Sequence, residues 1–329
     1  MAHTTEPALP FERRRSPDED AARRANTAWL SRQRLIPDDA AMDRYLGWNL
    51  AELAARSYPD ARGDDLTLGL DVLSLFFLFD DQFDSPLGAD PGATARICRT
   101  LTGVLDADRA AADAAPMVHA FADLWQRSRR GMTADWQRRA ADHWRSYFLS
   151  HVVEADNRRT GGPLTVDRYL ELRRDTVGIL PCVDLGERIQ HYRMPERAYR
   201  AAEFSALLGL ATELVGIAND VFSVGKEAAL GDPHNLVLVL ERADGLPRPD
   251  ALAAAAGLAH RKAARFAALA ADLPAVHRRL ALDPAEQDAA DRFVQSLRDW
   301  IAANEAWAAR SARYQATSAP ELTAIGARP

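Results

Sequence analysis

LSLFFLFDDQFD, residues 73–84, is the stretch on which the fold turns. Its first seven positions are apolar apart from Ser74, with Leu73, Leu75, Phe76, Phe77, Leu78 and Phe79 facing every direction around a helix. Such a helix lies inside a bundle rather than on a surface. Asp64-Asp65 open it, and the pattern predicts that it runs to about Asp84. It ends in Asp80, Asp81 and Asp84. Asp80 and Asp84 are spaced i, i+4 and share a face, with Asp81 beside them. Three carboxylates at a helix C-terminus repel one another, and the macrodipole adds to the penalty. They are read either as a solvated acidic helix end or as a site bridged by cations. Because they continue a wholly apolar helix, they open from the core, which favours the second reading. Hard carboxylate oxygens suit Mg²⁺, which commonly takes one or two protein carboxylates together with substrate phosphates.

A second apolar run, FSALLGLATELVGIAN, ends at Asn219 and continues as NDVFSVGKE, residues 219–227. Asn219, Ser223 and Glu227 are spaced i, i+4, i+8, which strings amide, hydroxyl and carboxylate oxygens along roughly 12 Å of one helix face. This is again a hard-oxygen set. Lys226 adjoins Glu227 and can turn its ammonium toward a phosphate. A polar helix end before Gly231-Asp232-Pro233 is the plainer alternative.

Outward from these two helices, the 329-residue chain reads as helix almost throughout. Alanine, leucine, arginine and glutamate dominate, and breakers such as Ser85-Pro86, Gly161-Gly162-Pro163, Met194-Pro195 and Gly245-Leu246-Pro247 separate the periodic segments. Predicted helices cover about 18–34, 38–57, 64–84, 92–105, 116–131, 133–159, 165–180, 182–191, 196–229, 234–242, 248–272 and 284–314. The LVLVL run at 236–240 is short and is read as buried helix rather than strand. The expectation is one all-α domain over 17–314, a disordered N-terminal arm over 1–16 and a C-terminal tail over 315–329. No 30- to 50-residue repeat suggests a solenoid.

Composition excludes several classes. Hydrophobic residues make up 47% and charged residues 27%, ordinary for a globular protein. A net charge of −6 gives no field that draws nucleic acid. The run at Leu73–Phe79 is too short to span a bilayer, and the first twenty residues lack the apolar core of a signal peptide. Cys98 and Cys182 support neither a disulfide scaffold nor a Cys-rich zinc site, and are read as reduced thiols of a cytoplasmic protein.

Taken together, the two motifs and their separation of roughly 140 residues resemble those of class I terpene synthases of the bacterial type. That resemblance implies an all-α helical bundle around a central apolar cavity. It implies that Asp80, Asp81 and Asp84 face Asn219, Ser223 and Glu227 across that cavity and hold three Mg²⁺ ions on an isoprenoid diphosphate. LRRDTVG at 172–178 resembles the family's sensor and effector segment, with Arg174 as diphosphate sensor and Gly178 as effector. Arg313-Tyr314 resembles its C-terminal Arg-Tyr pair. ARSYPDA at 55–61 and HWRSYF at 143–148 also resemble bacterial sesquiterpene cyclases. One departure is Leu230, where some relatives carry a basic residue, so the diphosphate grip is expected from Arg174, Lys226, Arg313 and Tyr314.

Aromatic residues complete the reading. Phe76 and Phe77 precede the aspartates by one turn, and Trp300 and Trp307 are two turns apart on the last long helix. Such residues are either ordinary core or cavity walls whose ring faces stabilise carbocations. The family spacing favours Phe76, Phe77 and Trp307 as walls. The resulting expectation is metal-triggered diphosphate departure and cyclisation of the cation, with farnesyl diphosphate as substrate. A twenty-carbon substrate, a trans-prenyltransferase and a non-catalytic helical binding protein stand as alternatives, and monomer and homodimer both remain open. No side chain stands out as general base.

Overall fold

A computed structural model describes residues 9–162 and 164–314 of the chain. The described residues form helices α1 (Glu19–Arg32), α2 (Asp39–Gly47), α3 (Leu50–Ser57), α4 (Gly63–Asp80), α5 (Pro91–Ala107), α6 (Pro116–Arg129), α7 (Ala134–Thr160) and α8 (Val166–Thr176). They continue with α9 (Ile179–Ile189), α10 (Glu196–Tyr199), α11 (Ala202–Leu230), α12 (Leu236–Asp244), α13 (Arg248–Ala271), α14 (Leu273–Arg279) and α15 (Pro284–Ala308). Short 3₁₀ turns follow α4 at Asp81–Asp84 and Pro86–Ala89, and the last is Ala312–Tyr314. No strand occurs among the described residues.

Local chemistry sets the boundaries. Asp38, Asp90, Thr133, Thr165 and Asn235 each accept a backbone N–H at a helix start, and Asp283 with Glu286 forms a capping box on α15. Gly161 and Gly231 take the left-handed conformation that ends α7 and α11.

α4 is buried on nearly all sides between α1, α3, α6 and α9, and α11 is similarly enclosed by α8, α12, α13 and α15. α11 is long and apolar enough to cross a membrane by length and composition, but most of its apolar window is buried inside the bundle. Cys98 and Cys182 are free and buried.

Several expected boundaries move: the expected helix over 196–229 divides into α10 and α11, and α14 fills the gap expected between 272 and 284. Residues 38–57 form two helices, because Asn49 adopts a left-handed φ of 54° between them. The aspartate helix stops at Asp80 and tightens into a 3₁₀ turn over Asp81–Asp84. The last helix stops at Ala308, so Arg313 and Tyr314 ride on a separate turn. The break expected before Pro181 falls at Gly178, where φ is +73°. The N-terminal arm also needs correction. Residues 1–8 and the tail at 315–329 lie outside the described residues, but 9–16 are not disordered: Leu9 is buried with its N–H on Glu305, and Arg14 reaches Asp299 at 3.1 Å. Those buried acids on α15 hold the segment down.

Candidate functional site

At the centre of the bundle lies an apolar cavity walled by α3, α4, α7, α8, α9, α11 and α15. Leu73, Phe76 and Phe77 of α4, Tyr147 of α7, Val215 of α11 and Trp300 of α15 line it. At one end it meets a polar chamber that contains Asp80, Asp84, Asn219, Ser223, Lys226, Glu227, Arg313 and Tyr314. Phe77, Asp80, Arg173 and Asn219 border both spaces.

The aspartates come from the end of α4 and the turn after it. Asp81 is buried and takes a bidentate grip from Arg313, with Nη1 donating to Oδ2 at 2.9 Å. Arg313 Nη2 also donates to Asp80 Oδ2 at 3.3 Å. The guanidinium is sandwiched by aromatic faces, 4.8 Å from the ring centres of both Trp48 and Phe77. Lys226 Nζ lies 2.7 Å from Asp84 Oδ2 and 3.4 Å from Asp81 Oδ1. Burial and the neighbouring carboxylates raise the Asp84 pKa, against the pull of Lys226. Asp80 titrates below the usual carboxylate range: burial opposes its charge, but His151 and Arg313 outweigh that.

α11 supplies the opposing donors. Asn219 Oδ1 accepts from Arg173 Nη2 at 2.7 Å, and its Nδ2 donates to the Tyr314 hydroxyl at 2.7 Å. Ser223 is buried one turn on. Glu227 Oε2 accepts from Asn235 Nδ2 at 2.5 Å. Burial, reinforced by the Asp220 charge, raises the Glu227 carboxyl above the usual carboxylate range.

All six motif residues offer oxygen, which fits a hard divalent cation. Glu227 is a half-buried carboxyl whose charge a cation at this place would stabilise. No group of three His, Cys, Asp or Glu side chains among the described residues converges as a ready-made cage. Instead the aspartates hold Arg313 and Lys226, which have to yield for an ion to bind. The donor set fits the group, with the two basic side chains as its present substitutes.

Two expected residues lie elsewhere. Arg174 is half exposed and turns outward, donating to Glu213 Oε1 from Nε at 2.9 Å, and it borders a separate surface depression. Arg173 takes the inward place, wedged between Asn219 and Asp220. The cause is helix phase: Tyr169, Arg173 and Thr176 form the inward face of α8. Gly216 of α11 makes room, since a Cβ there would stand 3.2 Å from Arg173 Cγ. Trp307 is fully buried, but it does not border the cavity; its indole N–H donates to the Trp48 carbonyl at 2.7 Å and its ring backs Phe77 at 5.3 Å. Trp300, two turns earlier on α15, is the tryptophan in the wall.

Phe76, Phe77 and Gly178 do border the cavity. Phe76 stacks on Trp144 at 4.6 Å, and a Cβ on Gly178 would stand 2.9 Å from its ring. Sequence reasoning missed Tyr147, His151, Glu154 and Arg158 of α7, although their 4-3-4 spacing marks one helix face. Arg158 donates to Asp232 Oδ2 at 2.7 Å and to the Gly88 carbonyl at 3.3 Å, tying together the loops that follow both motifs.

A family model described as "Terpene synthase family 2, C-terminal metal binding" matches residues 71–265. The chain is 39% identical over 310 residues to pentalenene synthase of Streptomyces avermitilis, covering 94% of this chain and 92% of that one. It is 41% identical over 314 residues to the (-)-beta-caryophyllene synthase of Saccharothrix espanaensis, covering 94% and 89%. The fold superposes on the crystal structure of germacradien-4-ol synthase from Streptomyces citricolor with a TM-score of 0.83 at 36% identity, covering 94% of this chain and 99% of that one.

Proposed function

Because the chain belongs to the terpene synthase family and cyclises a prenyl diphosphate with a divalent metal, we propose that its substrate is farnesyl diphosphate, its metal is Mg²⁺ in three ions and its product is a cyclic sesquiterpene. One observation carries this reading: two sets of oxygen donors, from α4 and α11, stand at one end of an apolar, aromatic-walled cavity. Farnesyl diphosphate is named in the descriptions of the caryophyllene and 7-epi-alpha-eudesmol synthases that the chain resembles.

Asp80, Asp81 and Asp84 on one side, and Asn219, Ser223 and Glu227 on the other, are the residues that would hold the ions. When bound, Mg²⁺ supplies Lewis-acid stabilisation of the departing diphosphate. Arg173, Lys226, Arg313 and Tyr314 receive that leaving group through charge-assisted hydrogen bonds. Release of Arg313 and Lys226 from the aspartates frees both for this task. Phe76, Phe77 and Trp300 then face the allylic cation with ring surfaces, and the apolar wall excludes water that would quench it early. Proton loss or water capture ends the sequence.

Incubation with the ten-, fifteen- and twenty-carbon diphosphates, with and without Mg²⁺, followed by gas chromatography with mass detection, tests the proposal. A cyclic fifteen-carbon product that needs the metal is expected. A twenty-carbon cyclic product, chain elongation or turnover without metal each overturns it.

A further inference from the structure

Asn304 of α15 lies in the wall of the apolar cavity, 5% exposed and one turn after Trp300. Its Nδ2 donates to the Val215 carbonyl oxygen of α11 at 3.2 Å. A carbonyl only accepts, so the amide nitrogen is the end that meets it and Oδ1 is the end left over. Oδ1 has no hydrogen-bond partner among the described residues, yet it is not one of the polar atoms sealed from all access. Since Asn304 is buried and borders the cavity, that is the space its oxygen reaches. Both helices run toward the polar chamber that holds Glu227 and Arg313. Val215 comes one turn before Asn219, so this amide stands roughly 6 Å below the first oxygen donor of α11. Trp300 is one turn deeper again.

A polar atom without a partner in an apolar wall costs free energy, and an alkyl side chain would fill the same place. A carbocation in the cavity reverses that balance. The oxygen is the negative end of the amide dipole, and in a space closed to water its attraction for a positive charge is little screened. An amide oxygen is also a far weaker base than a carboxylate or an imidazole, so it attracts the cation without taking a proton from it. The next residue, Glu305, does carry a carboxylate, but it is turned away to the Leu9 N–H at 3.2 Å. Tyr147 and Thr176 bring hydroxyls to the same cavity, and a hydroxyl can rotate. The Asn304 amide is held at its other end by Val215 and keeps one orientation.

We propose that Asn304 is a specificity-determining residue of the cyclisation: its carboxamide oxygen is a fixed dipole that holds the cation between the level of Asn219 and the ring of Trp300, and so decides which ring closure is completed before termination. The inference rests on the reading of the cavity as the place where farnesyl diphosphate cyclises. It adds a directional polar contact to the ring faces of Phe76, Phe77 and Trp300.

The whole enzyme is incubated with farnesyl diphosphate and Mg²⁺, the products are resolved by gas chromatography with mass detection, and thermal unfolding is followed alongside. Asn304→Leu keeps the volume and removes the dipole. The ratio of the main cyclic product to earlier-quenched products is expected to fall about tenfold or more, less than the hundredfold of an aligned hydrogen-bond donor because no hydrogen bond to the cation is lost. Cooperative unfolding is expected to remain. If leucine is not accommodated, Asn304→Ala and Asn304→Ser carry the comparison. They differ by one oxygen, and Asn304→Ser is expected to stay nearer the wild-type ratio. Absence of a cyclic fifteen-carbon product from the wild-type enzyme overturns the reading of the cavity. A cyclic wild-type product whose ratio is unchanged in Asn304→Leu, or shifts equally in Asn304→Ala and Asn304→Ser, overturns the role of Asn304 alone.

Discussion

Arg173 of α8 and Asn219 of α11 are joined by a hydrogen bond of 2.7 Å from Nη2 to Oδ1, across the boundary between the apolar cavity and the polar chamber. The next residue, Arg174, points to Glu213, which also accepts from Lys262 Nζ at 2.6 Å. Adjacent arginines thus serve different surfaces.

Arg173→Ala is therefore expected to lower diphosphate release by about a hundredfold or more, the scale of losing one preorganised donor to a developing anion. Arg174→Ala is expected to leave release within a few-fold of wild type. Steady-state assays of released diphosphate decide it; a larger loss in Arg174→Ala reverses the assignment.

Glu227→Gln and Ser223→Ala are expected to lose most turnover without loss of fold. Asn235 Nδ2 can still donate to a glutamine oxygen at residue 227, so the local geometry has no reason to collapse. Circular dichroism should match wild type while diphosphate release falls. Excess chelator is expected to silence the wild-type enzyme and added Mg²⁺ to restore it; turnover that persists in chelator removes the metal from the reaction.

The two tryptophans of α15 should separate. Trp300 lines the cavity, so Trp300→Leu, like Phe76→Leu and Phe77→Leu, is expected to redistribute products toward earlier-quenched ones. Trp307 lies behind Phe77 with its N–H on the Trp48 carbonyl. Trp307→Leu creates a void and removes that bond, which costs about 2–5 kcal/mol. Its main effect is expected in the melting temperature. Product analysis beside thermal unfolding distinguishes the two; an unchanged profile in all three wall variants returns those rings to plain core.

Gly178→Ala is expected to damage the site from the backbone. The residue holds φ at +73°, and a methyl there would stand 2.9 Å from Phe76. The left-handed conformation costs a non-glycine residue about 1–2 kcal/mol, and Phe76 has to leave its stack on Trp144. Lower stability together with an altered product mixture is the predicted outcome, and neither effect is expected from Gly209→Ala, where a Cβ meets nothing within 4 Å.

Away from the site, His143 Nδ1 lies 2.6 Å from Asp184 Oδ2, with Arg139 and Asp142 also near. Burial works against the imidazolium, yet the Asp184 carboxylate outweighs it and raises the His143 pKa above its ordinary 6.5. A folded-state value above the unfolded one means that the folded protein holds the proton more tightly. The stabilisation is then complete below about pH 6.5 and is lost as pH rises through the raised value. Melting temperature measured from pH 6 to 9 should fall more steeply in wild type than in His143→Gln; parallel profiles contradict the pair's contribution.

Much of this architecture was readable because the two central helices are apolar all round and then turn abruptly polar. Asp80, Asp81, Asp84, Asn219, Ser223 and Glu227 sit at those transitions. What escaped was phase and depth. Arg173 and Arg174 lie about 100° apart on a helix, and spacing to Gly178 does not say which faces inward. The buried Tyr169 and Thr176, which flank Arg173 on one face, do. Trp300 and Trp307 share a face, but seven residues are about 10 Å along the axis, enough to move one ring from wall to support. The α7 contributors Tyr147, His151, Glu154 and Arg158 were overlooked because α7 is otherwise crowded with charge, and their functional stripe does not stand out from its solvent face.

The grip of Arg313 and Lys226 on the aspartates has an electrical consequence. Three carboxylates at rest are offset by two cations of the chain itself, so the mouth never presents its full negative charge to the diphosphate it receives. On the proposed reading, incoming ions take over the aspartates, and the displaced guanidinium and ammonium are discharged toward the second anion at the moment it enters. The same two positive charges are thus used twice, first as internal counterions and then as receptors. Neither has to be brought in from solvent, so loading the site becomes an exchange of partners rather than an accumulation of charge.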